Sequence, residues 1–178
     1  MSFLSEASSL KGMSTDENAL RPLDPDEEVF VRSLERIIYV LPRVMDTTMQ
    51  RERQISLTEY MTLSKLSEAC GRKMRMSELA ESSFMSLSGM SHIISRLQDQ
   101  HLVERVRDEQ DRRGWHAVLT DEGFARLEEA WPSNLSGVRK YALDHLRGFD
   151  LRALAEAFQK FGDVAADCDD EPVDPAQA

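Results

Sequence analysis

The sequence predicts a mainly α fold of six helices, with one small β-hairpin between the fourth and fifth. Three observations predict it. Apolar residues recur at helical spacing through most of residues 27–162. That period breaks only at 103–119, where two Val-containing stretches of strand length flank a polar loop ending in Gly114. The net charge of −10 resides in the two ends. Residues 1–30 hold two basic and seven acidic side chains, and 163–178 hold six acids and no base, whereas 31–162 is close to neutral with 20 basic and 19 acidic groups. Both ends are rich in Ser, Asp, Pro and Ala. Segments 1–26 and 163–178 therefore read as disordered acidic tails around a domain spanning 27–162.

The first helix, about 27–50, is marked by Phe30, Leu34, Ile37, Ile38, Leu41 and Met45, with Pro42 as an expected kink. Thr58 offers an N-cap for the second, whose stripe is Tyr60, Leu63, Leu66 and Cys70. Ser77 is read as the cap of a short third helix containing Leu79 and Ala80. Ser86 caps a fourth, with Met90, Ile93, Ile94 and Leu97 at i, i+3, i+4 and i+7. The strands are Val103–Arg107 and Trp115–Leu119, joined by a charged tip. Thr120 restarts helix, with Asp121 and Glu122 at the positive end of its dipole. Phe124, Leu127, Trp131, Leu135, Val138 and Ala142 then approximate a heptad seam, which Pro132 is expected to bend. A sixth helix carries Leu151, Leu154, Ala155, Phe158 and Phe161.

Composition narrows the function classes. No long apolar run suggests a membrane span, and the opening Met1-Ser-Phe-Leu-Ser-Glu6 has no basic or apolar region of a secretory signal. Cys70 and Cys168 lie far apart, which argues against a disulfide framework and suits a reducing cytoplasm. Cys70 is read as buried at the end of the second helix. The four histidines form no metal-binding spacing, no Gly-rich phosphate loop is present, and no nucleophile–base pair stands out. No metal or cofactor is expected, and no enzymatic activity.

A short helix, a tight turn, a second capped helix and then a hairpin is the layout of a winged helix-turn-helix. The face of the fourth helix away from its apolar stripe carries Ser86, Ser88, Gly89, Ser91, His92, Ser95 and Arg96. Small hydroxyls and a glycine allow close approach to base edges and phosphates, and the helix N-terminus adds positive partial charge. Arg96 is placed either to reach a phosphate or to close a salt bridge at the helix end. On the hairpin tip, Asp111 beside Arg112 and Arg113 can hold a guanidinium in the fixed direction that minor-groove insertion needs. Alone, a Ser-rich face is usually a solvated face and an Arg pair usually a polar turn. Their order and spacing carry the DNA reading.

Met74-Arg-Met-Ser-Glu-Leu-Ala-Glu81, the segment from Ser86 to Leu97, Leu102-Val-Glu-Arg105 and Asp111-Arg-Arg-Gly-Trp-His-Ala-Val-Leu-Thr-Asp-Glu-Gly123 resemble MarR-type regulators. The D-x-R…LT-x-x-G pattern is the most specific part, and the resemblance covers about 28–162. It implies a homodimer held by the first and last two helices (about 27–50 and 121–162), with a DNA-binding lobe at about 56–120. It further implies a pseudo-palindromic double-stranded DNA operator, with recognition helices in major grooves and wings in minor grooves. Cytoplasmic repression of transcription is the expected role. Ser86, Ser88, Ser91, His92 and Arg96 fall on recognition-helix positions, and Arg112 and Arg113 on the wing. His101 stands where the family pattern has Gly and a positive φ is expected. Relatives of this kind also bind small, often aromatic, anions, for which Arg36, Tyr39 and Arg43 could line a cleft. The competing reading has these arginines facing solvent or paired with acids across the dimer. An alternative function is a protein–protein adaptor built on the same dimer without DNA affinity.

Overall fold

The computed structural model describes residues 21–108 and 114–168, with side chains to residue 160. Its helices are α1 (Pro25–Arg53), α2 (Leu57–Glu68), α3 (Met76–Ser82), α4 (Leu87–Asp99), α5 (Asp121–Tyr141) and α6 (Leu151–Cys168). The strands are β1 (Lys73–Arg75), β2 (Val103–Arg107) and β3 (Trp115–Leu119). Most of the two expected tails falls outside the described residues, although α6 extends to Cys168. Contacts divide the chain into residues 1–38 and 39–178. In the first unit, Asp24 Oδ1 accepts from the Glu27 amide at 2.9 Å, and the Glu27 carboxylate accepts from the Asp24 amide at 2.9 Å. This reciprocal pair satisfies two otherwise orphaned donors at the start of α1. Val29, Phe30, Ile37 and Ile38 are exposed there.

In the second unit, α2 starts earlier than Thr58 suggests. Ser56 is the N-cap: its Oγ accepts from the Glu59 amide at 3.1 Å, and Glu59 Oε2 accepts from the Ser56 amide at 2.8 Å. Thr58 has no carboxylate three residues on to return the bond, so it cannot form such a box. Helix α2 ends before Cys70, because Ala69 is extended and a 3-10 turn over Cys70–Arg72 passes through Gly71 at φ 64°. Cys70 is therefore exposed, not buried as its place in the stripe suggests. Ser77 likewise is not a cap. Helix α3 follows directly on β1, with Arg75 at the N-cap position.

The core forms where α2, α3, α4 and α5 meet the sheet. Leu63, Leu66, Leu79, Met90, Ile94 and Leu97 are fully buried within it. The hairpin register pairs Val103 with Leu119, Arg105 with Ala117 and Arg107 with Trp115. A third strand, β1, adds to the far side of β3, with Lys73 opposite Val118 and Arg75 opposite His116. Three residues are too short to show a period, so only the partner strand reveals β1. His101 has φ 60°, as expected for a position that favours glycine. It closes the end of α4, with its amide on Gln98 O at 2.9 Å and the Leu102 amide on Leu97 O at 2.9 Å.

The heptad seam anticipated on α5 divides between two faces. Leu127 is buried, but Trp131 and Leu135 are exposed, and the buried line is Gly123, Leu127, Ala130, Ser133 and Gly137. Small residues let the α5 backbone approach closely, a signal that apolar periodicity does not register. Helices α1 and α5 continue through Pro42 and Pro132. Ser133 Oγ donates to Glu52 Oε2 at 2.5 Å, and this bond is the main reason the Glu52 carboxyl lies below its usual range. The stabilisation it gives is present above the unfolded carboxylate pKa and disappears as pH falls through the lower folded value. Ser133→Ala is thus expected to destabilise the protein at neutral pH, with the gap to wild type narrowing in acid. Urea unfolding at the two pH values measures it, and a constant gap would refute the linkage.

Candidate nucleic-acid interface

Helix α4 is divided lengthwise. Met90, Ile93, Ile94 and Leu97 enter the core, while Ser86, Leu87, Ser88, His92, Ser95 and Arg96 are exposed and Gly89 and Ser91 half-buried. Ser86 is its N-cap, accepting from the Gly89 amide at 3.1 Å, and its Oγ lies 3.1 Å from that of Ser88. Losing this cap by Ser86→Ala is expected to cost about 1 kcal/mol, readable by chemical denaturation. A Cβ on Gly89 would meet Ser86 Oγ at 3.2 Å, so the glycine keeps the cap uncrowded.

Two residues outside the predicted set orient this helix. Arg105 on β2 donates to the Ser91 carbonyl at 2.6 Å, which ties α4 to the hairpin. Glu59 on α2, only 4% exposed, lies 2.6 Å from Arg96 Nη2. Of the two roles open to Arg96, the structure shows the salt bridge, while 60% of the side chain stays accessible. At the base of the hairpin, Asp108 bonds to Arg75 and faces His116 Nε2 at 3.9 Å, and its amide reaches Gly114 O at 3.0 Å. Two features absent from the sequence reading support these contacts: the Glu59 carboxylate holds α2 to α4 and Arg75 of β1 holds the base of the hairpin, while Arg105 links α4 and the hairpin. A groove of about 300 Å³ runs between them, lined by Ser77, Leu87, Ser91, Arg105 and Trp115 among others. Asp111, Arg112 and Arg113 lie outside the described residues.

A second cavity, of about 400 Å³, sits among α1, α2 and α5. Leu41, Met45, Leu57, Met61 and Val138 make it apolar, and Tyr60, Ser64 and Asn134 supply its polar groups. Burial pushes the Tyr60 phenol up, and a hydrogen bond with Asn134 partly offsets this. Tyr60 is therefore a neutral partner at physiological pH. Arg36, Tyr39 and Arg43 are exposed and none lines this cavity, whose lining holds no charged group. At 3.6 residues per turn they form a separate stripe, about half a turn around α1 from Leu41 and Met45. Among the described residues, no three His, Cys, Asp or Glu side chains gather as metal ligands, and no helix is long and apolar enough to cross a membrane.

A capped helix with one face in the core and the other exposed, preceded by a short helix and followed by a hairpin, defines the winged helix-turn-helix class. The model of the MarR family matches residues 55–114. Among solved structures, the chain is similar to AbsC, a MarR family transcriptional regulator from Streptomyces coelicolor. The identity is 31% over 83% of this chain and 99% of that one, with a TM-score of 0.76. It is also similar to Sco3205, a MarR family transcriptional regulator of the same organism crystallised in complex with DNA. There the identity is 30% over 81% of this chain and 94% of that one, again with a TM-score of 0.76. A mutant MarR from E. coli complexed with operator DNA shares the fold at 18% identity, covering 78% of this chain and 99% of that one, with a TM-score of 0.65. No curated protein matches. The chain belongs to the MarR family of DNA-binding transcriptional regulators, which are not enzymes.

Proposed function

We propose that this protein binds a pseudo-palindromic operator as a homodimer and represses transcription in the cytoplasm until a small ligand releases it. The exposed polar face of α4, held against the hairpin by Arg105, is the observation that carries the reading. Each α4 would enter a major groove, with Ser86, Ser88, Gly89, Ser91 and His92 at base edges and phosphates. Arg96, anchored by Glu59, keeps an accessible edge for a phosphate. Exposed apolar side chains, Phe30, Ile37 and Ile38 in the first unit and Trp131, Leu151 and Phe158 in the second, give each unit surface that a partner chain would cover. Sedimentation at micromolar concentration should find no folded monomer. The effector is a neutral, largely apolar molecule in the α1–α2–α5 cavity, since that lining offers no cation for an anion.

Selection of bound sequences from random DNA, followed by salt titration, tests the reading. A two-fold symmetric site bound with steep salt dependence supports it. An absence of selected sites, or of salt dependence, would favour the adaptor alternative. Arg113→Ala, acting at the hairpin tip beside Asp111, should cost about 1–3 kcal/mol per subunit and relax preference at the operator flanks. An unchanged operator profile for that variant would defeat the role of the tip.

A further inference from the structure

Leu87 is the first residue of α4, directly after the Ser86 cap, and is 54% exposed. It is not part of the core stripe, which begins one turn later at Met90, nor among the partly buried side chains packed against the core. It opens instead onto the groove it shares with Ser91 and Trp115. Around it the face is made of hydroxyls and an imidazole: Ser86, Ser88, Ser91 and His92. Nearly half of Leu87 is covered, in a groove that also holds Met76 and Trp115, and the remaining apolar surface is left for whatever covers the face.

Resting on the DNA reading above, we infer that Leu87 reads the C5-methyl group of one thymine in each half-site. The major groove presents donors and acceptors at every base pair, and its one apolar feature is that methyl. N-terminal residues of a recognition helix are those that meet base edges, and Leu87 occupies the leading position. Burying the methyl against leucine removes apolar surface from water on both sides. Leu87 is therefore a specificity-determining residue, reading by shape and hydrophobicity beside polar neighbours that read by hydrogen bonds.

Deoxyuridine substitution in the selected operator tests this, because uracil keeps the pairing and the O4 acceptor and loses only the methyl. At one thymine per half-site, the substitution is expected to weaken wild-type binding about fourfold, and on the order of fifteenfold when both half-sites are changed. Leu87→Ala, with an unchanged Tm, should bind the thymine and uracil operators equally. Leu87→Gln should alter the selected base at that position alone, because an amide prefers adenine. The inference is overturned if no thymine methyl matters to wild type, or if Leu87→Ala keeps the same discrimination. It is also overturned if discrimination vanishes in Phe84→Ala, whose exposed ring lies in the preceding turn. Failure of wild type to bind the unmodified operator would remove the DNA reading itself, and this inference with it.

Discussion

Gly123→Ala is expected to lose about 3 kcal/mol of stability, the upper end for overpacking, although alanine is the better helix former. Gly123 lies in the first turn of α5, where a methyl would overlap the Leu102 carbonyl and approach Leu119 Cδ1 to 2.7 Å. The Leu102 carbonyl cannot retreat freely, because it accepts from the Thr120 amide at 3.1 Å. Thr120 Oγ1 in turn donates to His101 O at 2.8 Å and accepts from the Gly123 amide at 2.9 Å. One added carbon therefore pushes α5 away from the end of α4 and the start of β2. Gly137→Ala is the matched comparison, since its methyl would meet the flexible end of Met45, which can move aside. Thermal or urea unfolding should show Gly123→Ala far below wild type and Gly137→Ala near it. Equal losses would mean that the α5 backbone shifts easily.

Glu59→Ala should cost about 2–4 kcal/mol and weaken DNA binding beyond the loss of fold. One buried carboxylate serves two elements: it accepts from the Ser56 amide and hydroxyl at 2.8 Å each, and it holds Arg96 of α4 at 2.6 Å. Its removal takes away the carboxylate half of the α2 capping box, leaving the Ser56 Oγ bond to the residue 59 amide, and frees Arg96 together. Arg96→Ala tests the second half alone and leaves a buried carboxylate without its cation. Because Arg96 is 60% exposed, solvent screens the pair, and its coupling energy in a double-mutant cycle should be well below the total for Glu59→Ala. Additive effects would show that Glu59 acts only as a cap. Leu57, Tyr60 and Met61, on the same turns of α2, line the apolar cavity. An occupant that moves α2 there also moves the carboxylate that positions Arg96.

The interface is built from a base that the sequence conceals. Arg75, Asp108 and His116 come from β1, the end of β2 and β3, and meet only because the strands pair in this register. They fix the root of the hairpin formed by β2 and β3. Arg105 performs the same service for α4. Each of these side chains serves geometry first, so counting basic residues along the chain would not separate them from groups facing DNA.

Much of the architecture follows from the order of residues alone. Ser86 and Thr120 announce their helices because a hydroxyl cap acts within three residues. The Met90–Leu97 stripe and both hairpin strands are equally local, since a period of 3.6 or 2 is a property of the chain. The need for a positive φ at His101 also follows from one short motif. The tertiary structure decided the rest. It recruited β1, exposed Cys70 where the helix stopped, turned the small-residue face of α5 inward, and set the apolar cavity beside Leu41 and Met45 rather than at Arg36, Tyr39 and Arg43. These outcomes depend on which surfaces meet across long separations, and burial there is won by close backbone approach and by shared partners, neither of which leaves a periodic trace in sequence.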